Sequence, residues 1–205
     1  MTGRPRIIQE EQILDAAILV FREEGHATTT AKIAQRAGVS EGIIFYRFKT
    51  KEELLAAVIH RETQPPELLR NLSEKIGVGD VAQTLHRILT DVLVSVFRGH
   101  PFFEIMETSR AFSGTRKHLL EKSVKPPPQV IVELIAEYLE AEIRLGRVRR
   151  VPTIPAARAM FGACIDYVRS RRFCELDEDR ESFVWGLVDF FIGGLAPNSE
   201  DPRSE

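Results

Sequence analysis

No stretch of this 205-residue chain shows the strict polar–apolar alternation of a half-buried strand; its apolar residues recur at helical spacing throughout, with proline and glycine as the punctuation. That pattern predicts an all-α fold. Ile13, Ala17, Val20 and Phe21 fall on one face of a first helix, and Gly25 stands where a left-handed cap would end it. Thr28-Thr29-Thr30 supplies hydroxyl caps for a short second helix whose inner side is Ile33, Ala34 and Ala37, and Gly38 stops that helix. Ser40 can cap a third helix carrying Ile43, Ile44, Phe45 and Phe48. Thr50-Lys51-Glu52-Glu53 then reads as a capping box opening a fourth, lined by Leu54, Leu55, Val58 and Ile59 and closed by Pro65-Pro66.

Beyond that break the helices lengthen, with segments expected at 67–75, 80–98, 102–113, 115–123, 129–145, 155–173 and 179–194. Pro101, Pro126-Pro127-Pro128, and Pro152 with Pro155 mark the joints, and Gly146 is placed to cap the helix before it. The polar stretch from Pro197 to Glu205 is expected to be disordered.

An apolar share of 43% is enough for a core, yet no apolar run approaches the roughly 20 residues that a spanning helix needs. The basic start, Met1 to Arg6, leads into Gln9-Glu10-Glu11, unlike a secretory signal, so no membrane association and a cytoplasmic location are expected. Cys164 and Cys174 match neither zinc-ligand nor redox spacing, and no metal or cofactor is expected. His86, Asp91, His100 and His118 stand without a nucleophile or second carboxylate at motif spacing, which argues against an enzyme.

Two short helices joined by Ala37-Gly38-Val39-Ser40 have the proportions of a helix-turn-helix, although such pairs also occur in enzymes. Charge sharpens the choice. Between His26 and Lys51 the ionic residues are Lys32, Arg36, Arg47, Lys49 and Lys51 against a single acid, Glu41, in a chain whose net charge is -2. Such a patch suits phosphates, and Phe45 and Tyr46 interleave with its cations.

The stretch ILDAAILVFREEGHATTTAKIAQRAGVSEGIIFYRFKTKEELLAAVI, from Ile13 to Ile59, closely resembles the DNA-binding domain of TetR-family regulators, including the threonines, AGVS, the aromatic pair and Lys51-Glu52. The resemblance implies a helix-turn-helix domain over 1–52, with the fourth helix 51–64 as connector. It further implies an effector-binding and dimerisation domain over 66–196, ahead of the tail 197–205. Thr29, Thr30 and Lys32 would touch phosphate; Ser40, Glu41, Gly42 and Ile43 would face base edges; Phe45, Tyr46 and Lys51 would complete the contact. Ile43 departs from a common Thr, which favours a thymine methyl at the opposed base. Phe45 departs from a common Tyr, and Arg47 replaces the usual His with its role open.

The same resemblance places a ligand pocket among Val96, Phe97, Phe102, Phe103, Met106, Phe112, Tyr138, Met160 and Phe161, although such stripes also serve as plain core. Glu104, Glu107 and Asp166 would favour a cationic ligand if they turned inward. Cys164, Tyr167, Val168, Phe183, Leu187, Phe190 and Phe191 on the last two helices would meet a symmetry mate, with Gly162, Gly186 and Gly193-Gly194 allowing close approach. The implied protein is a homodimeric repressor on palindromic double-stranded operator DNA, released by a small-molecule effector. A ligand-independent nucleoid-associated or division-control DNA binder of the same fold is the alternative, and an enzyme on a helical scaffold the remoter one.

Overall fold

In the computed structural model of the chain, residues 4–122, 125–173 and 179–195 are described, and among them every regular element is helical. Cys174 and the segment 197–205 lie outside the described residues. Two compact units emerge: residues through Gln64 with Arg98–Pro127, and Pro65–Phe97 with the residues from Pro128 onward.

In the first unit, α1 (Arg4–Glu24) buries Ile13, Ala17, Val20 and Phe21. It ends at Gly25, whose φ of 56° is the left-handed conformation that a side chain would oppose. A 3₁₀ turn, Gly25–Ala27, follows, and the buried Thr28 hydroxyl donates to the Gly25 carbonyl at 2.8 Å. Helix α2 (Thr30–Ala37) is capped by Thr29, whose Oγ1 accepts from the Lys32 amide at 3.3 Å. Gly38, left-handed at φ 65°, turns the chain toward α3 (Glu41–Arg47). Ser40 stands at the start of α3 with extended backbone, but its hydroxyl makes no capping bond. Helix α4 (Lys51–Glu62) has Thr50 Oγ1 accepting from the Glu53 amide at 3.0 Å. The Glu53 carboxylate reaches back to the Lys49 amide at 3.0 Å, one residue beyond the donor of the usual reciprocal box.

Two further short elements complete this unit. They are the 3₁₀ turn Arg110–Phe112 and α7 (Thr115–Lys122), both packed on α4. Phe112 meets Phe21 edge to face at 5.8 Å between centroids, and Phe102, Ile105 and Phe112 share one apolar core with α1–α4. A small helical domain exposes much of what it might bury; here Phe102, Ile105 and Phe112, with Leu119 packed beside them, close that core.

The second unit opens with α5 (Glu67–Arg70) and a 3₁₀ turn, Leu72–Lys75, where a single segment over 67–75 was expected. Its long helices are α6 (Val81–Thr108, through residue 97), α8 (Pro127–Arg144, from residue 128), α9 (Thr153–Phe173) and α10 (Arg180–Leu195). Leu85, Ile88, Leu89 and Val92 pack with Ile135, Leu139, Met160, Cys164, Val184 and Val188. Gly146, at φ 71°, closes α8 as expected, its amide donating to the Ile143 carbonyl at 3.0 Å. The fully buried Glu142 carboxylate accepts from the Gly77 amide at 2.9 Å and pairs with Arg147 at 3.3 Å, so its charge is compensated. Asp179 caps α10, accepting from the Glu181 and Ser182 amides at 2.8 and 3.0 Å; bonds to the Ser182 hydroxyl and amide hold its carboxyl below the usual carboxylate range.

The break expected at Pro101 is absent. Helix α6 runs through that proline, merging the segments expected at 80–98 and 102–113. An internal proline removes one donor and costs about 3 kcal/mol. Burial of Leu89, Val92 and Leu93 before it and of Phe102 and Ile105 after it outweighs that local penalty. One helix thereby contributes residues 81–97 to one unit and 98–108 to the other.

Candidate nucleic-acid interface

The α2–α3 pair is held from beneath. Ile33, Ala34 and Ala37 of α2 and Ile44 and Phe48 at α3 are buried in the core of the first unit, with Val39 and Ile43 packed against it. Fixing Ile44 and Phe48, four apart, turns the opposite side of α3 outward. That side carries Gly42, Phe45 and Tyr46, the last two 45% and 68% exposed, while Ser40 and Glu41 are exposed at the open first turn of the helix.

Gly42 is the informative member of this face. A methyl group built on it would meet only Ser40 Oγ, at 3.8 Å, and its φ is not in the left-handed region. Nothing inside the chain demands glycine there. Glycine even in the first turn of a helix is no better than alanine, and in the interior it costs roughly 0.5–1 kcal/mol, so a fit to something outside the chain is the reading that remains. Two neighbouring aromatics left in water point the same way, because their apolar surface gains only on contact.

The electrostatics are less open than the sequence suggests. Lys32 pairs with Glu24 at 2.7 Å and Arg36 pairs with Glu23, so both cations of α2 are answered by carboxylates of α1. The Arg36–Glu23 pair is exposed on both sides and worth little, so a phosphate could replace its carboxylate at small cost, whereas Glu24 is three-quarters buried and holds Lys32 more firmly. Lys49 donates to the Tyr46 carbonyl at 3.2 Å and lies 5.5 Å from its ring centre; Arg47 is 5.8 Å from the same ring. The Arg47 Nε is buried without a hydrogen-bond partner among the described residues. Lys51 is half-buried, donates to the Thr28 carbonyl at 2.8 Å and sits 4.6 Å above the Phe112 ring. Its ammonium therefore ties the turn after α1 to the first residue of α4 and to the 3₁₀ turn at Phe112. The Thr30 hydroxyl donates to Glu41 Oε1, joining the starts of α2 and α3.

The structure thus gathers Thr29, Thr30, Lys32, Ser40, Glu41, Gly42, Phe45 and Tyr46 on or beside two adjacent helices, with Ile43 half-buried at the margin and Lys51 engaged beneath. Sequence reasoning missed Thr28, whose carbonyl receives Lys51; a threonine at zero exposure has no signature in a run of three.

Of the expected pocket residues, Phe102, Phe103, Met106 and Phe112 belong to the core of the first unit and Val96, Tyr138, Met160 and Phe161 to that of the second. Phe97 is exposed, as are Glu107 and Asp166. Of the residues expected at a dimer contact, Cys164, Tyr167 and Val168 are buried within the second unit; Phe183, Leu187 and Phe191 are half-buried; Phe190 is 74% exposed, beside exposed Trp185. His86 stacks on Trp185 at 4.1 Å and lies 3.1 Å from Glu181. Among the described residues no group of three candidate ligands could hold a metal, and no helix is long and apolar enough to cross a membrane.

Residues 13–58 match the bacterial regulatory proteins of the tetR family. The chain is 30% identical over 132 residues to the HTH-type transcriptional regulator YvkB of Bacillus subtilis (strain 168), covering 63% of this chain and 65% of that protein. To the HTH-type transcriptional regulator BetI of Klebsiella pneumoniae (strain 342) it is 38% identical over 84 residues, 40% of this chain and 43% of the other. The chain thus spans less than two thirds of the length of these curated relatives. Its fold is similar to that of the transcriptional regulator FadR from Bacillus subtilis, solved with stearoyl-CoA: TM-score 0.69 at 20% identity, over 90% of this chain and 98% of that one.

Proposed function

We propose that this chain, whose residues 13–58 match the tetR family of bacterial regulatory proteins, is a homodimeric repressor of transcription of that family whose α3 enters the major groove of a palindromic operator. The observation that carries this reading is the outer face of α3, where an internally unexplained glycine lies among exposed aromatics above a buried Ile44–Phe48 anchor. Gly42 lets backbone approach base edges, the Ile43 side chain favours a thymine methyl, and Tyr46 offers a hydroxyl to phosphate. Thr29 and Thr30 stand at the exposed start of α2, where Lys32 and Arg36 exchange their carboxylates for phosphates.

The second protomer is held by the outer face of α9 and α10. Trp185 and Phe190 are exposed there, and methyl groups built on Gly162, Gly186 and Gly193 would meet nothing. That open apolar surface is what a two-fold contact covers. Phe183, Leu187 and Phe191 flank it, and Cys164, Tyr167 and Val168 support it from within.

A small-molecule effector bound in the second unit releases the DNA, with α6 as the covalent link, since its two parts serve both cores. Release requires the effector to prefer the free conformation by several kcal/mol. The stearoyl-CoA of the FadR structure makes long-chain acyl-CoA a rational first probe, although 20% identity carries the fold and not the ligand. The test is selection of duplexes from a randomised pool by the full chain, then mobility-shift titration with candidate effectors. A recovered two-fold symmetric site supports the reading; recovery of no duplex at any salt concentration rejects it.

A further inference from the structure

We propose that Glu41 is a specificity-determining residue: its carboxylate, aimed by the Thr30 hydroxyl, accepts a hydrogen bond from the amino group of a cytosine in each operator half-site. This rests on the regulator reading above and deepens it.

Glu41 is the single acid between His26 and Lys51, and as the first residue of α3 it is exposed at the open first turn of the helix, next to Gly42. The start of α3 and the Thr30 hydroxyl favour a carboxylate in the free chain, but one brought up to a polyanion is repelled by every phosphate, and a base that donates to it offsets that repulsion. Major-groove donors are the amino groups of cytosine and adenine. On adenine that amino group lies beside the N7 acceptor, whose lone pair repels the second carboxylate oxygen; an amide side chain suits that edge, a carboxylate does not. Cytosine offers its amino group with no acceptor beside it on the groove edge.

The rest of the face leaves this role to Glu41. Arg47 is the one cation within α3, and it is half-buried with its guanidinium against the Tyr46 ring. Lys49 is engaged with the Tyr46 carbonyl. No arginine or lysine of the outer α3 face is therefore placed to read guanine directly, and a G·C pair is read from its cytosine side. Thr30 supplies the aim. Its hydroxyl donates to Oε1, which removes rotamer freedom from an otherwise flexible side chain and leaves Oε2 for the base.

The experiment uses the full chain and the duplex selected from a randomised pool. Each half-site position is replaced in turn by the other three base pairs, and affinities are measured for wild type, Glu41→Gln, Glu41→Ala and Thr30→Val. Wild type should favour cytosine at one position per half-site by about five- to 150-fold. Glu41→Ala should abolish that preference, Glu41→Gln should shift it toward adenine, and Thr30→Val should keep its identity while reducing its size. Base preferences that survive Glu41→Ala unchanged, or a uniform tightening of all duplexes, overturn the assignment alone. Failure of wild type to retain any duplex overturns the regulator reading on which it rests.

Discussion

Gly99 of α6 is buried, and a methyl group built on it would lie 2.4 Å from Thr63 Cγ2, far inside contact distance. Thr63 ends α4 and is pinned: its hydroxyl donates to the Ile59 carbonyl at 2.6 Å and its side chain is buried. The methyl cannot swing aside without breaking that bond. Gly99→Ala should therefore cost about 1–3 kcal/mol of overpacking, offset by roughly 0.5–1 kcal/mol from better helix propensity. A net loss of about 1–2 kcal/mol is expected. Thr63→Ser alone removes the offending methyl, keeps the hydroxyl and should cost about 0.8 kcal/mol for one buried carbon. With Cγ2 gone, the next atom of residue 63 from the new methyl is Cβ, at an ordinary 3.7 Å. The double variant should then regain wild-type stability or exceed it, a coupling of at least 1 kcal/mol by the double-mutant cycle. Urea unfolding followed by far-ultraviolet circular dichroism measures all four corners. If Gly99→Ala is neutral, or if Thr63→Ser fails to rescue it, the close packing of α6 on the end of α4 is not what requires glycine.

Three other outcomes follow from the same geometry. Gly42→Ala should raise stability by roughly 0.5–1 kcal/mol while weakening binding to the selected duplex at least tenfold, an opposition that thermal melts and fluorescence anisotropy on one preparation would reveal. Phe190→Asp, on the exposed side of α10, should convert a dimer to monomer by sedimentation while leaving helical content intact; a dimer that survives it places the contact elsewhere. Burial lifts the Cys164 thiol from 9.0 to about 12 and the Tyr138 hydroxyl from 10.0 to about 12. The folded chain keeps protons that the unfolded chain releases, so this stability is intact below about pH 9 and is lost as pH rises from there toward 12. Urea midpoints should be flat across neutral pH and fall in that alkaline window, less steeply in Cys164→Ala.

The helices of the reading head were legible because their signals are local. Gly25, Gly38, Thr29 and Thr50 each fix a turn or a cap within four residues of themselves, and each is found in the expected role. Pro101 misled for the same reason: its penalty is local, whereas the burial of Phe102 and Ile105 that overrides it is tertiary. Periodicity marks Phe102 and Phe112 as inward but cannot say which core they enter, and the structure places them with α1–α4. Lys51 shows the limit at the site itself. A lysine opening a helix beside a basic patch reads as a phosphate ligand, and sequence does not show that its ammonium also donates a hydrogen bond at 2.8 Å to the Thr28 carbonyl, 23 residues earlier. Glu23 and Glu24 likewise temper Arg36 and Lys32 through contacts that sequence distance hides.

Chemical protection of guanine N7 on the selected duplex addresses the central claim most directly, since that atom lies in the major groove. Two α3 helices docked by a symmetric pair should shield two clusters on one side of the duplex, about 10–10.5 base pairs apart or a multiple of that. Shielding should fade with Gly42→Ala. Uniform reactivity along a duplex that is demonstrably bound would contradict the docking of α3 in that groove.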